Sequence, residues 1–341
     1  MALPTTMKAW QYTTTKGGLI PNLKLNPTAS FPVAKDPSTQ HIVQIFSTCL
    51  NPVDVKPAEA MPSFMLPKPA TPGIDFVGKM VVPAKNSDLK AGQVVFGGAG
   101  LSPFAGGACA EYAIVDIKGA AALPAGVSES DAATIGVAGM TAYQTIVPHV
   151  KANDRVFLNG GSGGVGVLGI QIAKAVGCHV TTACSTANVE LCKSLGADDV
   201  IDYKKGSVVE ALKSKPPFDH VVDNVGNDPN LYWNAHHYMK KSAKFIGIAG
   251  EPTLKFVMFS AKVRLWPGFL GGGKRKFEGF FAQQNIDELM RIAGYMKEGK
   301  IRAVIDERFP FEKAPDAFRR LKTGRARGKV MVDVSAGGGN A

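Results

Sequence analysis

The stretch VFLNGGSGGVGVLGIQIAKAVGCHVTTACS, Val156–Ser185, decides the fold. Arg155 to Leu158 reads as a buried strand, and Gly161, Gly163 and Gly166 set a G-x-G-x-x-G turn. Val167 to Val176 then continues with helical apolar spacing, and His179 to Ala183 forms a second strand. Strand, glycine turn, helix and strand together predict a nucleotide-binding unit. Gly161 permits a sharp turn, Gly163 lets the backbone approach a pyrophosphate, and Gly166 lets helix and strand close up. The helix N–H groups would face the phosphates. Residues Gly161, Ser162, Gly163, Gly164, Val165 and Gly166 are therefore the expected pyrophosphate cradle.

The end of the second strand bears on which dinucleotide is held. Selectivity for NAD usually rests on Asp or Glu there, accepting from the ribose hydroxyls. This chain has Ser185, with Asn188 three residues on and Tyr203 after the next strand. These neutral donors suit a 2′-phosphate, which points to NADPH. Ser185 and Asn188 also fit a second reading, as caps of the following helix.

Working outward, strands Arg155–Leu158, His179–Ala183, Asp199–Ile201, His220–Asp223 and Lys244–Ile248 alternate with helical segments, as in a doubly wound parallel sheet. Clefts in such sheets lie at the carboxyl ends of the strands, so Asn224, Val225 and Gly226 and then Ile248, Ala249 and Gly250 should line the same crevice. Residues before about 130 alternate short β-type runs with Pro and Gly turns, and the closing KVMVDV should rejoin that block. The expected class is α/β: a β-rich domain of residues 1–130 with 300–341, and a Rossmann domain of residues 131–299.

The 341 residues suffice for two domains with large cores, and 45% hydrophobic with 20% charged residues fits an ordinary globular protein. No run is long and apolar enough to span a bilayer, and MALPTTMKAWQY lacks a secretory pattern, so the cytoplasm is the expected location. The five cysteines show no paired spacing, which points to buried thiols and no metal site. The net charge of +11 would draw in a polyanionic cofactor, and equally an RNA or an anionic surface. Basic residues crowd the last third, around Lys274-Arg275-Lys276 and in RRLKTGRARGK. Residues 251–284 also carry Phe256, Met258, Phe259, Trp266, Phe269, Phe277, Phe280 and Phe281, which suit a pocket mouth for a bulky apolar substrate or a dimer interface. His236-His237 is expected on a helix surface, because adjacent helical side chains diverge.

Taken together, NPVDVK (51–56), PGID (72–75), GGACAEYAIV, VAGMTAYQ, the glycine turn, NVELCKSLGADDVIDY, FDHVVDNVG and GRARGKVMVDV make the chain resemble the medium-chain dehydrogenase/reductase superfamily, in its zinc-free quinone oxidoreductase and enone reductase branch. The resemblance covers nearly the whole length. It implies a GroES-like catalytic domain built from both chain ends around an inserted Rossmann domain. Zinc-dependent members carry a Cys where this chain has Asn51, and Gly-His-Glu where it has Gly73-Ile74-Asp75. Without thiolate or imidazole those positions make a poor zinc site.

The resemblance also implies roles. Thr141 and Asn224-Val225-Gly226 should lie near the nicotinamide, Lys329 should approach the cofactor from the tail, and Asn51 and Lys56 should stand beside nicotinamide and substrate. Lys56 is the first catalytic candidate, because an ammonium can polarise a carbonyl or protonate an enolate. Pairing with Asp54 or Asp75, or simple solvation, is its other reading. Tyr143 is a further candidate donor, or else a packed aromatic. The implied activity is NADPH-dependent hydride transfer to the conjugated C=C of an α,β-unsaturated carbonyl or to a quinone. Two alternatives stand beside it: a trans-acting enoyl reductase served by an acyl carrier, and a non-catalytic NADPH- or RNA-binding protein on the same scaffold. Small apolar enone, quinone or enoyl substrates are the expected partners, with nucleic acid disfavoured, membrane contact at most peripheral, and a monomer or homodimer.

Overall fold

A computed structural model describes residues 3–100, 106–248, 258–259, 261–263, 266 and 272–335. The chain divides into two compact units, residues 1–140 with 284–341, and residues 141–283. The boundaries thus fall at 140/141 and 283/284, not at the expected 130/131 and 299/300. Helix Ile286–Lys297 accounts for part of the shift. Asn285 caps it by accepting from the Asp287 and Glu288 N–H groups, and its Ile292 lies 3.6 Å from the point where a Cβ on Gly139 would sit. An amphipathic helix between two blocks shows that it has an apolar face without showing which core receives it.

The first unit is built on the long strand Gln40–Leu50. It pairs antiparallel with Asp75–Val82, with Tyr112–Asp116 and with the tail strand Lys329–Asp333. Pairing along both edges explains why ten of its residues are buried and why it reads as a near-continuous apolar run. The seven-stranded sheet encloses a core that includes Val43, Ile45, Phe76, Val95, Phe318 and Val330.

In the second unit six parallel strands lie in the spatial order Asp199–Asp202, His179–Cys184, Arg155–Asn159, Phe218–Asp223, Met239–Ile248 and Lys276–Phe280. The chain reverses direction of build between Arg155–Asn159 and Phe218–Asp223, which makes the gap beyond their carboxyl ends the topological switch point. Phe157, Phe218 and Phe245 are at most 1% exposed, and each such burial stabilises the unit by about 1.5–3 kcal/mol. Gly177 ends helix Gly164–Val176 in the left-handed conformation at φ 93°, as a C-terminal glycine allows.

The sixth strand comes from the aromatic segment, where no strand was expected. Phe277 meets Tyr232, Phe245 and Phe259 at ring-centroid distances of 5.1, 5.9 and 5.5 Å. Phe277 and Phe259 are partly buried and pack against the core that contains Tyr232 and Phe245. Met258, Trp266 and Phe281 are exposed, while Phe256, Phe269 and the glycine-rich end 337–340 lie outside the described residues. Among the described residues no helix is long and apolar enough to cross a membrane.

Candidate active site

The glycine turn opens at the switch point. Gly160 and Gly161 donate to the Ala183 carbonyl at 3.1 and 3.0 Å, which ties the turn to the neighbouring strand. A Cβ on Gly161 would stand 2.1 Å from Thr182 Oγ1, and one on Gly166 would stand 2.2 Å from Gly160 O. Those two glycines are dictated by the chain's own packing. Gly163 is different: its Cβ would meet nothing closer than Gly160 O at 3.6 Å. It is also the N-cap of helix Gly164–Val176, and no side chain caps that helix. The first turn therefore leaves its N–H groups for an external acceptor, with Gly163 clearing the approach.

The loop after the second strand bends back to this turn. Asn188 Nδ2 donates to Ser162 Oγ at 2.9 Å, so Asn188 braces the glycine loop. Ser185 precedes the 3-10 turn Thr186–Asn188 with no capping hydrogen bond from its side chain, which removes the capping reading. Tyr203 is 49% exposed, with Lys204 Nζ 5.5 Å from its ring centroid, and its N–H donates to the Cys184 carbonyl. A carboxylate does stand one strand over, at Asp202. Burial raises its affinity for a proton, yet the Thr186 hydroxyl and the Lys204 N–H hold it below the usual carboxylate range.

Across the switch point, Asp223 organises the Asn224–Gly226 turn. Its Oδ1 accepts from Asn159 Nδ2 at 2.8 Å and from the Val225 and Gly226 N–H groups at 3.0 Å. Sequence reasoning missed this residue, although a carboxylate closing an apolar strand before N-V-G was the available signal. Asn224 Nδ2 donates to Asn159 O at 2.8 Å, while its Oδ1 is buried without a partner. An orphaned acceptor here fits a ligand that brings a donor. Ile248 ends its strand half-buried, and Ala249 and Gly250 lie outside the described residues. Thr141 and Tyr143 are buried at 4% and 5% exposure, Tyr143 as a packed aromatic.

The first unit holds a second polar constellation. Asn51, Asp54, Asp75 and Lys329 are all at most 4% exposed. Lys329 Nζ donates to Asp75 Oδ2 at 3.1 Å, to Leu50 O at 3.3 Å and to Asn51 Oδ1. An ammonium has three N–H donors, and here they meet Leu50, Asn51 and Asp75, so Lys329 is the internal cation of this cluster. Asn51 is similarly occupied: Nδ2 donates to Asp75 Oδ2 at 2.9 Å and to Cys49 O at 3.2 Å. Asp75 Oδ1 accepts from the Val137 N–H at 2.7 Å. Asn51 and Asp75, which stand where the resemblance places the Cys and the Glu of zinc-dependent members, are thus joined to an ammonium. Among the described residues no three His, Cys, Asp or Glu side chains form a metal-ligand group.

Asp54 accepts from the Asn51 N–H at 2.6 Å, and its other oxygen has no partner. Burial pushes its carboxyl up to about 7. Lys56, expected beside the chemistry, is exposed on the first turn of helix Lys56–Ala60, and Asp75 is paired with Lys329 instead of with it. His236 and His237 lie on a short 3-10 turn with rings 3.9 Å apart, beside Lys274 Nζ at 3.4 Å.

Comparison with known proteins agrees with this architecture. The alcohol dehydrogenase GroES-like domain family matches residues 37–125, and the zinc-binding dehydrogenase family matches residues 195–332. The trans-enoyl reductase pgmF of Aspergillus terreus is 45% identical, covering 97% of each chain. The 2-methylene-furan-3-one reductase of Solanum lycopersicum is 34% identical over 97% of this chain and 80% of its own. The quinone oxidoreductase structure from Coxiella burnetii superposes with a TM-score of 0.81 at 27% identity, covering 96% of this chain and 99% of that one. The chain is an oxidoreductase that belongs to the medium-chain dehydrogenase/reductase superfamily, in the branch of the quinone oxidoreductases and enoyl reductases.

Proposed function

We propose that the protein reduces the conjugated C=C of an α,β-unsaturated carbonyl with NADPH and without a metal. The observation that carries this reading is the uncapped N-terminus of helix Gly164–Val176, fronted by a Gly163 that the chain's own packing does not demand, at the switch point of a parallel sheet. Gly161 to Gly166 would hold the pyrophosphate through backbone N–H groups. Ser185 and Tyr203 would meet the 2′-phosphate, with Asn188 bracing Ser162, and Asn224 to Gly226 would hold the nicotinamide end. Bound NADPH supplies the hydride.

Reduction of a conjugated olefin places the arriving charge on the carbonyl oxygen, so the protein has to orient the acceptor and stabilise an enolate. Lys56, with an exposed ammonium, is the group proposed to polarise that oxygen or deliver the proton. Asn51 has both amide donors engaged, so it would act by shaping the loop that carries Lys56. A second reading, an enoyl reductase acting in trans on a carrier-bound thioester, is favoured by the 45% identity to a protein so named. Lys274 and Lys276 remain exposed for an acidic carrier, while the Arg275 guanidinium turns inward to the His236 and Met239 carbonyls.

The test is one panel: NADPH or NADH against an enal, a cyclic enone, a quinone, a free enoyl thioester and a carrier-tethered enoyl thioester, with and without chelator. NADPH-driven reduction of the olefins that persists in chelator is the expected result. A carrier-tethered substrate with the highest kcat/KM would establish the trans-acting reading. NADPH that raises Tm while no acceptor is turned over would leave a binding protein. Unchanged turnover in Lys56→Ala would remove Lys56 from the chemistry.

A further inference from the structure

The positive charge of the chain is local. From residue 229 to residue 277 the sequence carries nine lysines and arginines against a single acid, Glu251, so this stretch supplies eight of the eleven net charges. Two of the nine are neutralised: Lys240 pairs with Asp219 at 2.6 Å and Lys244 with Glu278 at 2.8 Å. Lys262, Lys274 and Lys276 are exposed and enter no ion pair among the described residues. Two of them meet neutral rings instead: Lys262 Nζ stands 5.1 Å from the Trp233 ring centroid, and Lys274 Nζ stands 3.4 Å from His236 Nε2. The His236 and His237 rings are 3.9 Å apart. Burial, and after it the charges of His237, Lys274 and Arg275, hold the His236 imidazole below its ordinary range, which is the effect of a locally positive field.

The cations share this face with exposed apolar side chains. Met258, Phe259, Ala261, Lys262 and Val263 are helical, and the Trp266 N–H donates to the Lys262 carbonyl at 3.0 Å. Phe259 and Val263 pack against the core of the second unit. Met258 and Trp266 stay in solvent, 63% and 53% exposed, and each stands four residues from Lys262, which puts the three on one flank. The face sits at the amino ends of two strands, since the turn Ala235–His237 leads into Met239–Ile248 and Lys274 leads into Lys276–Phe280. The crevice of the switch point lies at the carboxyl ends, so a surface held here leaves that crevice open.

We infer that this face docks on an anionic lipid surface, with Lys262, Lys274 and Lys276 among the headgroups and Met258 and Trp266 entering the interface beneath them. Clustered cations are drawn to a negative leaflet over about a Debye length. Tryptophan settles at headgroup level, and a neighbouring apolar side chain adds buried area. An acidic carrier or an RNA would satisfy the lysines and leave Met258 in water, so the mixed character of the face favours lipid. The docking stands apart from the reductase reading; its value to the enzyme, access to apolar acceptors dissolved in the bilayer, rests on that reading.

The experiment sediments the full chain with vesicles of phosphatidylcholine, alone or mixed with phosphatidylserine in equal parts. The mixed vesicles should bind about tenfold more tightly, and high salt should release them. Lys262→Ala and Lys274→Ala should each weaken that binding about fivefold, the effect of one cation near an anionic surface, whereas Lys90→Ala, on the first unit, should bind as the parent does. Tryptophan emission should shift to the blue on the mixed vesicles, and Trp266→Phe should lose that shift; a shift that survives in Trp266→Phe would overturn the placement of Trp266. No preference for the mixed vesicles would overturn the inference, as would a preference that Lys262→Ala and Lys274→Ala, at the Tm of the parent, leave intact. An acidic acyl carrier or an RNA held through the same two lysines by a protein that binds no vesicle would also overturn it. Vesicle binding by a protein that reduces no acceptor would uphold the docking face and remove the reductase reading alone.

Discussion

The two polar constellations of this molecule are built on opposite principles. In the first unit, Asn51, Asp75 and Lys329 satisfy one another in a space closed to water. At the glycine turn of the second unit, polar groups are left over: the N–H groups of an uncapped helix N-terminus, fronted by a Gly163 with room beside it, and the orphaned Asn224 Oδ1 acceptor. Buried polar groups are normally paired, so each open group, Asp54 Oδ1 in the first unit as well as Asn224 Oδ1 in the second, is one that a ligand can meet. The comparison teaches that residues from separate family motifs can be joined to one another by the fold, as Asn51, Asp75 and Lys329 are.

The comparison can be broken most directly at Lys329. Lys329→Met leaves the Asp75 carboxylate without its cation and should lower the stability of the chain by about 3–5 kcal/mol in denaturant unfolding. Lys329→Met with Asp75→Asn should recover a large part of that loss, because no buried charge is then left alone. A Lys329→Met protein as stable as the parent but unable to bind NADPH would return Lys329 to the cofactor.

The glycines separate the two principles within one loop. Gly166→Ala drives a Cβ to 2.2 Å from Gly160 O, and should cost about 1–3 kcal/mol of stability. Gly163→Ala meets no such contact and should unfold with the parent, while weakening NADPH about tenfold in calorimetric titration. Equal loss of stability in both would show that the room at Gly163 carries no function.

Cofactor choice gives a smaller effect. Ser185→Asp adds a carboxylate where the 2′-phosphate is proposed, and should shift the NADPH to NADH affinity ratio toward NADH by about tenfold. An unchanged ratio would move the 2′-phosphate away from Ser185.

A separate test comes from pH. Asp54 is buried with its carboxyl pushed up to about 7, against about 4 in the unfolded chain. Its folded pKa is the higher one, so its contribution is fully present below about pH 4 and is lost as pH rises through 7. Asp54→Asn keeps an acceptor for the Asn51 N–H and cannot ionise. It should flatten the decline of Tm between pH 4 and 7; an unaltered profile would place the titration elsewhere.

Much of this protein was legible in its sequence. Strand, glycine turn, helix and strand at Arg155–Cys184 obey periodicities and backbone limits that are local, so residue order alone determined them. The glycine positions were legible too, because a missing Cβ is written in the residue itself. The strand Lys276–Phe280 was not, since its aromatic run suits a pocket, an interface or an edge strand equally until a partner strand is present. Nor could the sequence decide what Lys329 touches: Asp75 lies 254 residues away, and which oxygens an ammonium meets depends on which strands the sheet brings side by side. Local geometry comes from the chain's own order, whereas the pairing of distant charges and the choice of which polar groups stay open are settled only when the whole core closes around them.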